Sequence, residues 1–259
     1  MMINNLKKKL MNGEPAIGTF VGINSQEVAW ILAGAGYDFL MVDYEHGGMS
    51  IETVGQQMMA IKTTDCTPLL RVPTNSYENV KKGLDSGAHG LMFPMTNNAE
   101  QAKDSVSYFN YPPKGIRGFG PTRANTFYTK TKEYMEFAED QLLLIVQIES
   151  KEAVENIDEI LQVEGVEVAF IGPFDLSFSL GVNGDTTNPL VLEAIDKVLA
   201  ACERHGVIPG IMTNKSQIQG HLEQGFKFLI FGTDASSLYR SATADVELFN
   251  ELKNTTIQP

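Results

Sequence analysis

Short runs of apolar residues alternate with helix-like patterns along nearly the whole chain. Eight such runs predict strands at residues 16–22, 37–43, 66–72, 89–94, 142–149, 166–172, 207–212 and 227–232. Apolar residues at helical spacing predict helices at residues 26–35, 51–62, 77–86, 99–108, 153–162 and 190–205. Eight strands that alternate with helices are typical of an α/β fold, the (β/α)8 TIM barrel, which we expect residues 1–259 to form as a single domain.

The strands themselves favour a barrel over its main alternative. The runs LLLIVQI and VAFIG are almost continuously apolar, as parallel strands covered on both faces should be. A doubly wound sheet would also accommodate these units, but it would prefer a glycine-rich phosphate loop after an early strand. The segment GTFVG lacks the GxGxxG spacing of that loop.

One long irregular segment, residues 110–129, is rich in Pro, Gly and Arg, and loops of this length are usually functional or interface elements.

The charge of the chain limits what it is expected to bind. The 259 residues include 20 Lys and Arg against 32 Asp and Glu, which gives a formal net charge of −12 and an isoelectric point near 4.8. Nucleic acids and anionic membranes favour basic surfaces, so neither is an expected partner. An anionic substrate would have to be held by local positive charge.

Three further features predict a soluble, cytoplasmic protein. The segment MMINNLKKKL carries lysines without the apolar run of a secretory signal. No apolar run approaches the roughly 18 residues that span a bilayer. Cys66 and Cys202 lie far apart without a CxxC motif, so we expect both to be buried and reduced.

Two carboxylates are expected at the carboxyl ends of neighbouring strands, where barrels build their active sites. Gln147 and Glu149 are two residues apart on one predicted strand, so their side chains share a face. Asp175 follows the next strand, about 4.8 Å away, so the two carboxylates can converge. Two carboxylates with waters and substrate oxygens commonly hold a hard divalent cation such as Mg²⁺. Helix capping is the alternative role for an isolated acid such as Asp175.

A histidine and an arginine complete the set of candidate catalytic residues. His46 lies in a glycine-flanked loop after the second strand and is a candidate general base, with Asp43 placed to orient its ring. Arg71 ends an otherwise apolar strand, where it would clamp a carboxylate or a developing oxyanion. Its alternative role is a structural ion pair with Glu45 or Asp43, and both roles can hold together.

No lysine occupies the position that imine chemistry requires. Schiff-base aldolases need a lysine inside the barrel near the carboxyl end of a strand. Lys227 instead opens the eighth predicted strand at its other end, and Lys151 begins a helix just after Glu149. The remaining residues favour metal-assisted carbanion chemistry.

Five segments in order resemble the 4-hydroxy-2-oxoheptanedioate / 2-dehydro-3-deoxyglucarate aldolase family, the metal-dependent class II pyruvate aldolases. They are GTFVGINSQEVAWILAGAGYDFLMVDYEHG, RVPTNS, GIRGFGPTRAN, QIES and GPFDLSFSLG. The resemblance extends from about Gly18 to the last helix. It implies a (β/α)8 barrel whose last helix swaps onto a neighbouring subunit, in a homohexamer built from dimers.

The resemblance also implies roles for individual residues. Glu149 and Asp175 would be ligands to Mg²⁺, Mn²⁺ or Co²⁺, and His46 with Asp43 would form the base dyad. The substrate pyruvate would lie against Arg71, Gln147 and the backbone amide around Phe174 and Asp175. An aspartate that matches Asp85 would come from an adjacent subunit. Phe174 departs from the family, which commonly has a small residue there, so the pocket beside pyruvate would be narrower or differently shaped.

These observations predict an enzyme that cleaves a 4-hydroxy-2-oxo acid reversibly to pyruvate and an aldehyde. An acyl-CoA lyase of the citramalyl or malyl type is an alternative, although the acidic composition gives little support for binding nucleotide phosphates. An oxaloacetate decarboxylase that uses the same enolate site is another alternative. A non-catalytic metabolite-binding barrel fits less well, because the base, the arginine and both carboxylates are present. The sequence leaves the aldehyde open among succinic semialdehyde, tartronate semialdehyde and lactaldehyde.

Overall fold

Eight parallel strands pair in chain order and close into a barrel, because the eighth strand also pairs with the first. The computed structural model describes residues 3–256, with side chains up to residue 253. The strands are β1 Ala16–Val21, β2 Phe39–Asp43, β3 Thr67–Arg71, β4 Gly90–Phe93, β5 Leu143–Ile148, β6 Val168–Ile171, β7 Ile208–Thr213 and β8 Phe228–Thr233. All eight lie at the predicted positions, and the predicted (β/α)8 barrel is confirmed.

Helices alternate with these strands around the outside of the barrel. They are α1 Asn5–Met11, α2 Gln26–Ala33, α3 Ile51–Ile61, α4 Tyr77–Asp85, α5 Ala99–Phe109, α6 Thr131–Asp140, α7 Lys151–Glu155, α8 Ile157–Leu161, α9 Pro173–Ser179, α10 Pro189–His205, α11 Ile218–Glu223 and α12 Asp234–Thr256. Five of the predicted helices begin directly after a Ser or Asn whose side chain accepts a backbone N–H of the first turn. These caps are Ser25, Ser50, Ser76, Asn98 and Asn188.

The helix predicted at residues 153–162 is interrupted in the structure. Two short helices, α7 and α8, meet at Asn156, whose side-chain amide donates to the backbone oxygen of Asn97 at 3.0 Å. The prediction of one continuous helix was therefore wrong, because this side chain holds the backbone in a non-helical conformation. Residues 110–129 form neither helix nor strand, as predicted.

Two layers of apolar side chains make the core, one inside the barrel and one between the strands and the helices. Inside, the rings of Phe39 and Phe228 stack with centroids 4.3 Å apart. A Cβ atom at Gly18 would lie 2.4 Å from the Phe39 ring, so only glycine fits beside it. At the carboxyl ends of the strands, Phe20 packs edge-on against Phe170. A cavity opens beside these two rings at that end of the barrel.

The last helix, α12, contacts β1 and β8 of the barrel. Several of its apolar side chains are exposed, including Leu238, Tyr239, Val246, Leu248 and Phe249. Across residues 3–256, no helix is long and apolar enough to cross a membrane. Cys66 and Cys202 are both free and buried, as predicted.

Candidate active site

A cavity of about 660 Å³ lies at the carboxyl ends of the strands, where six of the predicted site residues meet. These residues are Asp43, His46, Arg71, Gln147, Phe174 and Asp175. Glu149 is buried beside them, and its Oε2 accepts a short hydrogen bond from Nε2 of Gln147. Asp85 does not line the cavity, because it ends α4 at the opposite end of the barrel.

Arg71 is held by two carboxylates at the cavity floor. Asp43 and Arg71 are register partners on β2 and β3, so their side chains leave the barrel side by side. Asp43 Oδ1 accepts from Arg71 Nε at 3.0 Å, and Oδ2 accepts from Nη2 at 2.7 Å. Glu45 Oε2 lies 3.2 Å from Nε, and the guanidinium stacks on the Phe20 ring at 4.5 Å. The structural ion pair considered for Arg71 is therefore formed, with both carboxylates.

His46 lies at the cavity mouth with 68% of its side chain exposed. Its Nε2 is 3.6 Å from Oε2 of Glu45, whereas Asp43 accepts hydrogen bonds from the backbone N–H groups of Glu45 and His46. The sequence interpretation had Asp43 orienting the imidazole. In this structure the Asp43 carboxylate instead fixes the backbone of the loop. Both of its oxygens also accept from the guanidinium of Arg71 on the next strand, so the carboxylate is not directed at the imidazole.

Glu149 is buried at the end of β5 among other negative charges. Its Oε1 accepts from the backbone N–H of Met95 at 2.8 Å. Burial, helped by the charges of Asp175 and Glu45, raises the pKa of Glu149 to about 7 against the opposing effects of the Met95 hydrogen bond and the Arg71 charge. A Cβ atom at Gly172 would lie 3.2 Å from the Glu149 carboxylate, so glycine permits β6 to pass this close.

Asp175 is in the first turn of α9, exposed toward the cavity. Pro173 begins this helix, and no side-chain cap hydrogen bond forms at its start. Asp175 therefore does not cap the helix through a side-chain hydrogen bond, but its position in the first turn lets its charge offset the helix dipole, as the alternative role for this residue requires. Its charge also acts on Glu149, the neighbouring carboxylate across the end of β6.

The donor atoms at this point fit a hard divalent cation. Oε1 of Gln147 is buried and has no hydrogen-bond partner, and the buried Glu149 carboxylate lies close to the charge of Asp175. Uncompensated negative charge and an unpaired oxygen are both relieved by a cation with oxygen ligands. Within residues 3–256, no group of three or more His, Cys, Asp or Glu side chains is arranged for a metal ion. Glu149 and Asp175 are the two carboxylates that the sequence predicts as ligands of a cation here.

Phe174 and Asp85 lie away from the cavity floor. Phe174 forms part of the cavity wall, is 59% exposed and packs edge-on against Phe178 with ring centroids 5.2 Å apart. Its ring also covers Gly184. Asp85 accepts a hydrogen bond from the buried Arg117 at 2.8 Å, and burial raises the pKa of its carboxyl group.

The sequence interpretation missed the opposite wall of the cavity. Thr213, Asn214, Gln217 and His221 line it from β7 and the helix that follows. His221 lies on α11, and its Nδ1 is 2.9 Å from Oγ1 of Thr213. Thr213 ends β7 and Asn214 follows it, so both lie where strand ends build the site, but neither side chain titrates, and uncharged polar residues give only a weak signal in a sequence.

Residues 16–241 match the model of the HpcH/HpaI aldolase/citrate lyase family. The chain belongs to this family. It is 37% identical to the 4-hydroxy-2-oxo-heptane-1,7-dioate aldolase of Escherichia coli over an alignment of 260 residues. The alignment covers 100% of this chain and 99% of that enzyme.

Two solved structures agree with this assignment. An HpcH/HpaI aldolase/citrate lyase family protein from Burkholderia cenocepacia J2315 matches with a TM-score of 0.91 and 34% identity, over 95% of this chain and 99% of that one. The HpcH/HpaI aldolase from Desulfitobacterium hafniense DCB-2 matches with a TM-score of 0.90 and 32% identity, over 100% of both chains. The HpcH/HpaI aldolases are carbon–carbon lyases, and the family depends on divalent metals.

Proposed function

We propose that the protein is a class II aldolase that reversibly cleaves a 4-hydroxy-2-oxo acid to pyruvate and an aldehyde. The observation that carries this proposal is the convergence of Arg71, Gln147 and two carboxylates, Glu149 and Asp175, at one cavity. A pyruvate enolate is an anion, and a cationic fork beside a divalent-metal site is suited to hold it.

In this proposal the 2-oxo acid end lies at the cavity floor. Arg71 is buried and fixed by Asp43, so its remaining N–H groups are oriented before substrate arrives. Gln147 contributes its amide group, and the backbone N–H groups at Phe174 and Asp175 lie in the first turn of α9. Such N–H groups have no partner within the helix and favour a carboxylate.

Glu149 and Asp175 would hold the divalent cation, with Mg²⁺, Mn²⁺ and Co²⁺ as candidates because all three accept oxygen ligands. When bound, the metal would polarise the substrate oxygens and stabilise the enolate charge. Gln147 holds Glu149 in place by its hydrogen bond, and Met95 does so from the other carboxylate oxygen.

His46 is the proposed general base. It takes the proton from the C4 hydroxyl, the C3–C4 bond breaks to release the aldehyde, and the electron pair remains on the pyruvate enolate. Protonation at C3 then gives pyruvate. In the condensation direction, C3 of the enolate bonds to the aldehyde carbon, and the aldehyde oxygen takes the proton back. Oε2 of Glu45 lies 3.6 Å from Nε2 of the imidazole, so Glu45 is the carboxylate placed to orient the ring.

The test is pyruvate release from a panel of 4-hydroxy-2-oxo acids. We expect release with Mg²⁺ or Mn²⁺, its loss in EDTA, and its return when metal is added again. An Arg204→Lys variant, changed in a surface ion pair with Asp158, is the control and should behave as wild type. If no acid in the panel yields pyruvate, the proposal fails.

Decarboxylation of oxaloacetate is a second proposed activity of this site. It generates the same pyruvate enolate and needs no base on a C4 hydroxyl. An acyl-CoA lyase would need cations for the nucleotide phosphates, whereas Arg71 is the only Lys or Arg among the described residues that line the cavity. Supplying acyl-CoA substrates and following free CoA distinguishes these possibilities.

We also propose a homohexamer in which α12 swaps onto a neighbouring subunit. The exposed apolar side chains Leu238, Val246 and Phe249 on α12 support a covering partner. Asp85 lies at the far end of its own barrel, so the role proposed for it is at the cavity of an adjacent subunit. Light scattering coupled to gel filtration tests this, with six chains as the expected mass.

The cytoplasm is the proposed location. Both cysteines are free and buried, and the structure gives them no partner for a disulfide. Burial raises the pKa of each thiol to about 12, which protects them further from oxidation. Fractionation of cells with an antibody against the protein is the measurement, and recovery outside the cytoplasmic fraction would contradict it.

A further inference from the structure

The wall of the cavity opposite Arg71 carries polar side chains without formal charge. It is built from the carboxyl ends of β7 and β8 and the beginnings of α11 and α12. Its polar members are Thr213, Asn214, Gln217, His221, Thr233 and Ser236. The adjoining wall is apolar and includes Phe174, Leu192 and Ile195. In the proposed reaction this region receives the aldehyde, because the floor holds the pyruvate.

His221 is part of this uncharged wall. Its Nδ1 lies 2.9 Å from Oγ1 of Thr213, and its ring packs edge-on against Phe226. Burial lowers the pKa of the imidazole, so the ring is neutral at neutral pH. A neutral imidazole beside hydroxyl and amide groups both donates and accepts hydrogen bonds, which suits a hydroxyl group of a ligand.

Backbone N–H groups near this wall are already occupied by the protein's own carboxylate. In TIM barrels the loops after strands seven and eight often bind phosphate. Here Asp234, only 4% exposed, accepts from the backbone N–H groups of Gly22 at 3.0 Å, Ile23 at 2.8 Å and Ala235 at 2.7 Å. In a phosphate-binding TIM barrel these loops offer free backbone N–H donors to the ligand. Here a phosphate or carboxylate of a ligand would instead meet the negative charge of Asp234.

No cation in the described lining compensates for a second anionic group. Arg71 is its only Lys or Arg, and that guanidinium already contacts the carboxylates of Asp43 and Glu45. Burying an unpaired anion in such a cavity costs free energy, whereas a hydroxyl group finds hydrogen-bond partners.

We propose that the acceptor end of this cavity selects an uncharged hydroxyaldehyde and discriminates against aldehydes that carry a carboxylate or phosphate. This inference rests on the proposed aldolase function. It separates the candidate aldehydes by charge: lactaldehyde fits the wall, while succinic semialdehyde and tartronate semialdehyde do not. It also distinguishes this chain from an enzyme whose substrate is a dicarboxylic oxo acid.

Matched aldehydes provide the test. Glyceraldehyde and tartronate semialdehyde differ only by CH2OH in place of COO⁻, and butanal and succinic semialdehyde differ by CH3 in place of COO⁻. With pyruvate saturating, we expect kcat/KM for condensation to be about tenfold or more higher for the uncharged member of each pair. A smaller or reversed preference overturns the inference. Failure to condense pyruvate with every aldehyde overturns the proposed function itself.

A pair of charge variants tests where the selection arises. Gln217 lines the cavity just before α11 begins, whereas Gln219 lies exposed on α11 outside that lining. Gln217→Lys should raise kcat/KM for succinic semialdehyde relative to butanal by about tenfold, because it adds a cation at the acceptor end. Gln219→Lys, with the same change in net charge, should keep the wild-type ratio. Equal ratios in the two variants overturn the placement of the acceptor end at this wall.

Discussion

Both oxygens of the Asp43 carboxylate accept hydrogen bonds from the Arg71 guanidinium, at 3.0 Å from Nε and 2.7 Å from Nη2. The two residues are register partners on adjacent strands, so the barrel itself sets this geometry. Asp43 takes two of the five N–H groups of the guanidinium, and the planar fork keeps the others in a fixed direction. The pair thus converts a flexible cation into a fixed donor at the cavity floor.

Arg71→Lys is expected to reduce enolate formation by about 10²–10³-fold, the usual effect of losing one oriented donor to an oxyanion. Lysine keeps the charge but lacks the planar fork that Asp43 holds. The measurement is exchange of the methyl protons of pyruvate in heavy water, which does not depend on any aldehyde. Arg204→Lys is the matched control in a surface ion pair. Exchange at the wild-type rate in Arg71→Lys would limit Arg71 to a structural role.

Glu149→Gln and Asp175→Asn are each expected to weaken binding of Mn²⁺ by at least about tenfold while the fold is retained. Each change removes one of two carboxylates and hardly alters the side-chain volume. Titration calorimetry measures the affinity, and circular dichroism checks the fold. Glu152→Gln, an exposed acid in α7, is the control with the same change in charge. If both site variants bind Mn²⁺ with wild-type affinity, neither Glu149 nor Asp175 is a metal ligand.

The stability of the metal-free protein should depend on pH through Glu149. Its pKa is raised from 4.5 to about 7, mainly by burial. Below pH 4.5 the carboxyl group is protonated in both the folded and the unfolded chain. As the pH rises through 7, the unfolded chain holds fewer protons than the folded one, and stability falls by roughly 3 kcal/mol in total.

Glu149→Gln should therefore be more stable than wild type at pH 8 in EDTA, and the difference should shrink toward pH 5. Urea denaturation at the two pH values measures the free energy of unfolding. Glu193→Gln, an exposed acid on α10, provides the control. A difference of the same size at pH 5 and pH 8 would contradict the assigned cause.

Much of the fold and the cavity floor could be predicted from the sequence. Strands buried on both faces read as continuous apolar runs, so β5 and β6 stood out. The parallel arrangement then placed Asp43, Arg71 and Glu149 at the same end of the barrel. Charged residues at the ends of apolar strands are conspicuous, which is why these candidates were found.

The remaining features depend on distances that sequence spacing does not contain. His46 is only three positions after Asp43, yet the Asp43 carboxylate bonds to Arg71, 28 positions away, because β2 and β3 are in register. The wall formed by Thr213 and His221 consists of residues with no conspicuous charge, and such residues are common everywhere on a chain. The break at Asn156 arises from a contact with Asn97, which local helix patterns do not encode.

Arg117 is expected to stabilise the far end of the barrel strongly. Its side chain is fully buried, and its Nη2 donates to Asp85 and to the hydroxyl of Tyr134, both at 2.8 Å. Arg117→Met should lower the free energy of unfolding by about 3 kcal/mol, because the partly buried Asp85 carboxylate loses the fully buried cation that compensates its charge. Arg204→Met removes an ion pair whose members are half exposed and should cost less than about 1 kcal/mol. Urea denaturation measures both changes. If the two variants lose the same free energy of unfolding, burial is not the cause of the difference expected between the two ion pairs.

His46→Ala is expected to separate the two reactions that share the enolate. Aldol cleavage requires removal of the C4 hydroxyl proton, so its kcat should fall by roughly 10²–10⁴-fold, the usual contribution of a general base. Decarboxylation of oxaloacetate breaks a bond to a carboxylate that carries no proton. It depends on Arg71 and the metal site, so it should fall by less than about tenfold.

Both rates are measured on one preparation at the same metal concentration, so that a change in metal content affects them equally. The imidazole of His46 is exposed, so its removal should leave the fold intact. A loss of aldol cleavage without a similar loss of decarboxylation is then not explained by misfolding. His205→Ala provides the control, since His205 pairs with Asp158 on the outside of the barrel. If His46→Ala reduces both reactions by the same factor, His46 binds the substrate or holds its loop, and the base must be sought among the other groups at the cavity.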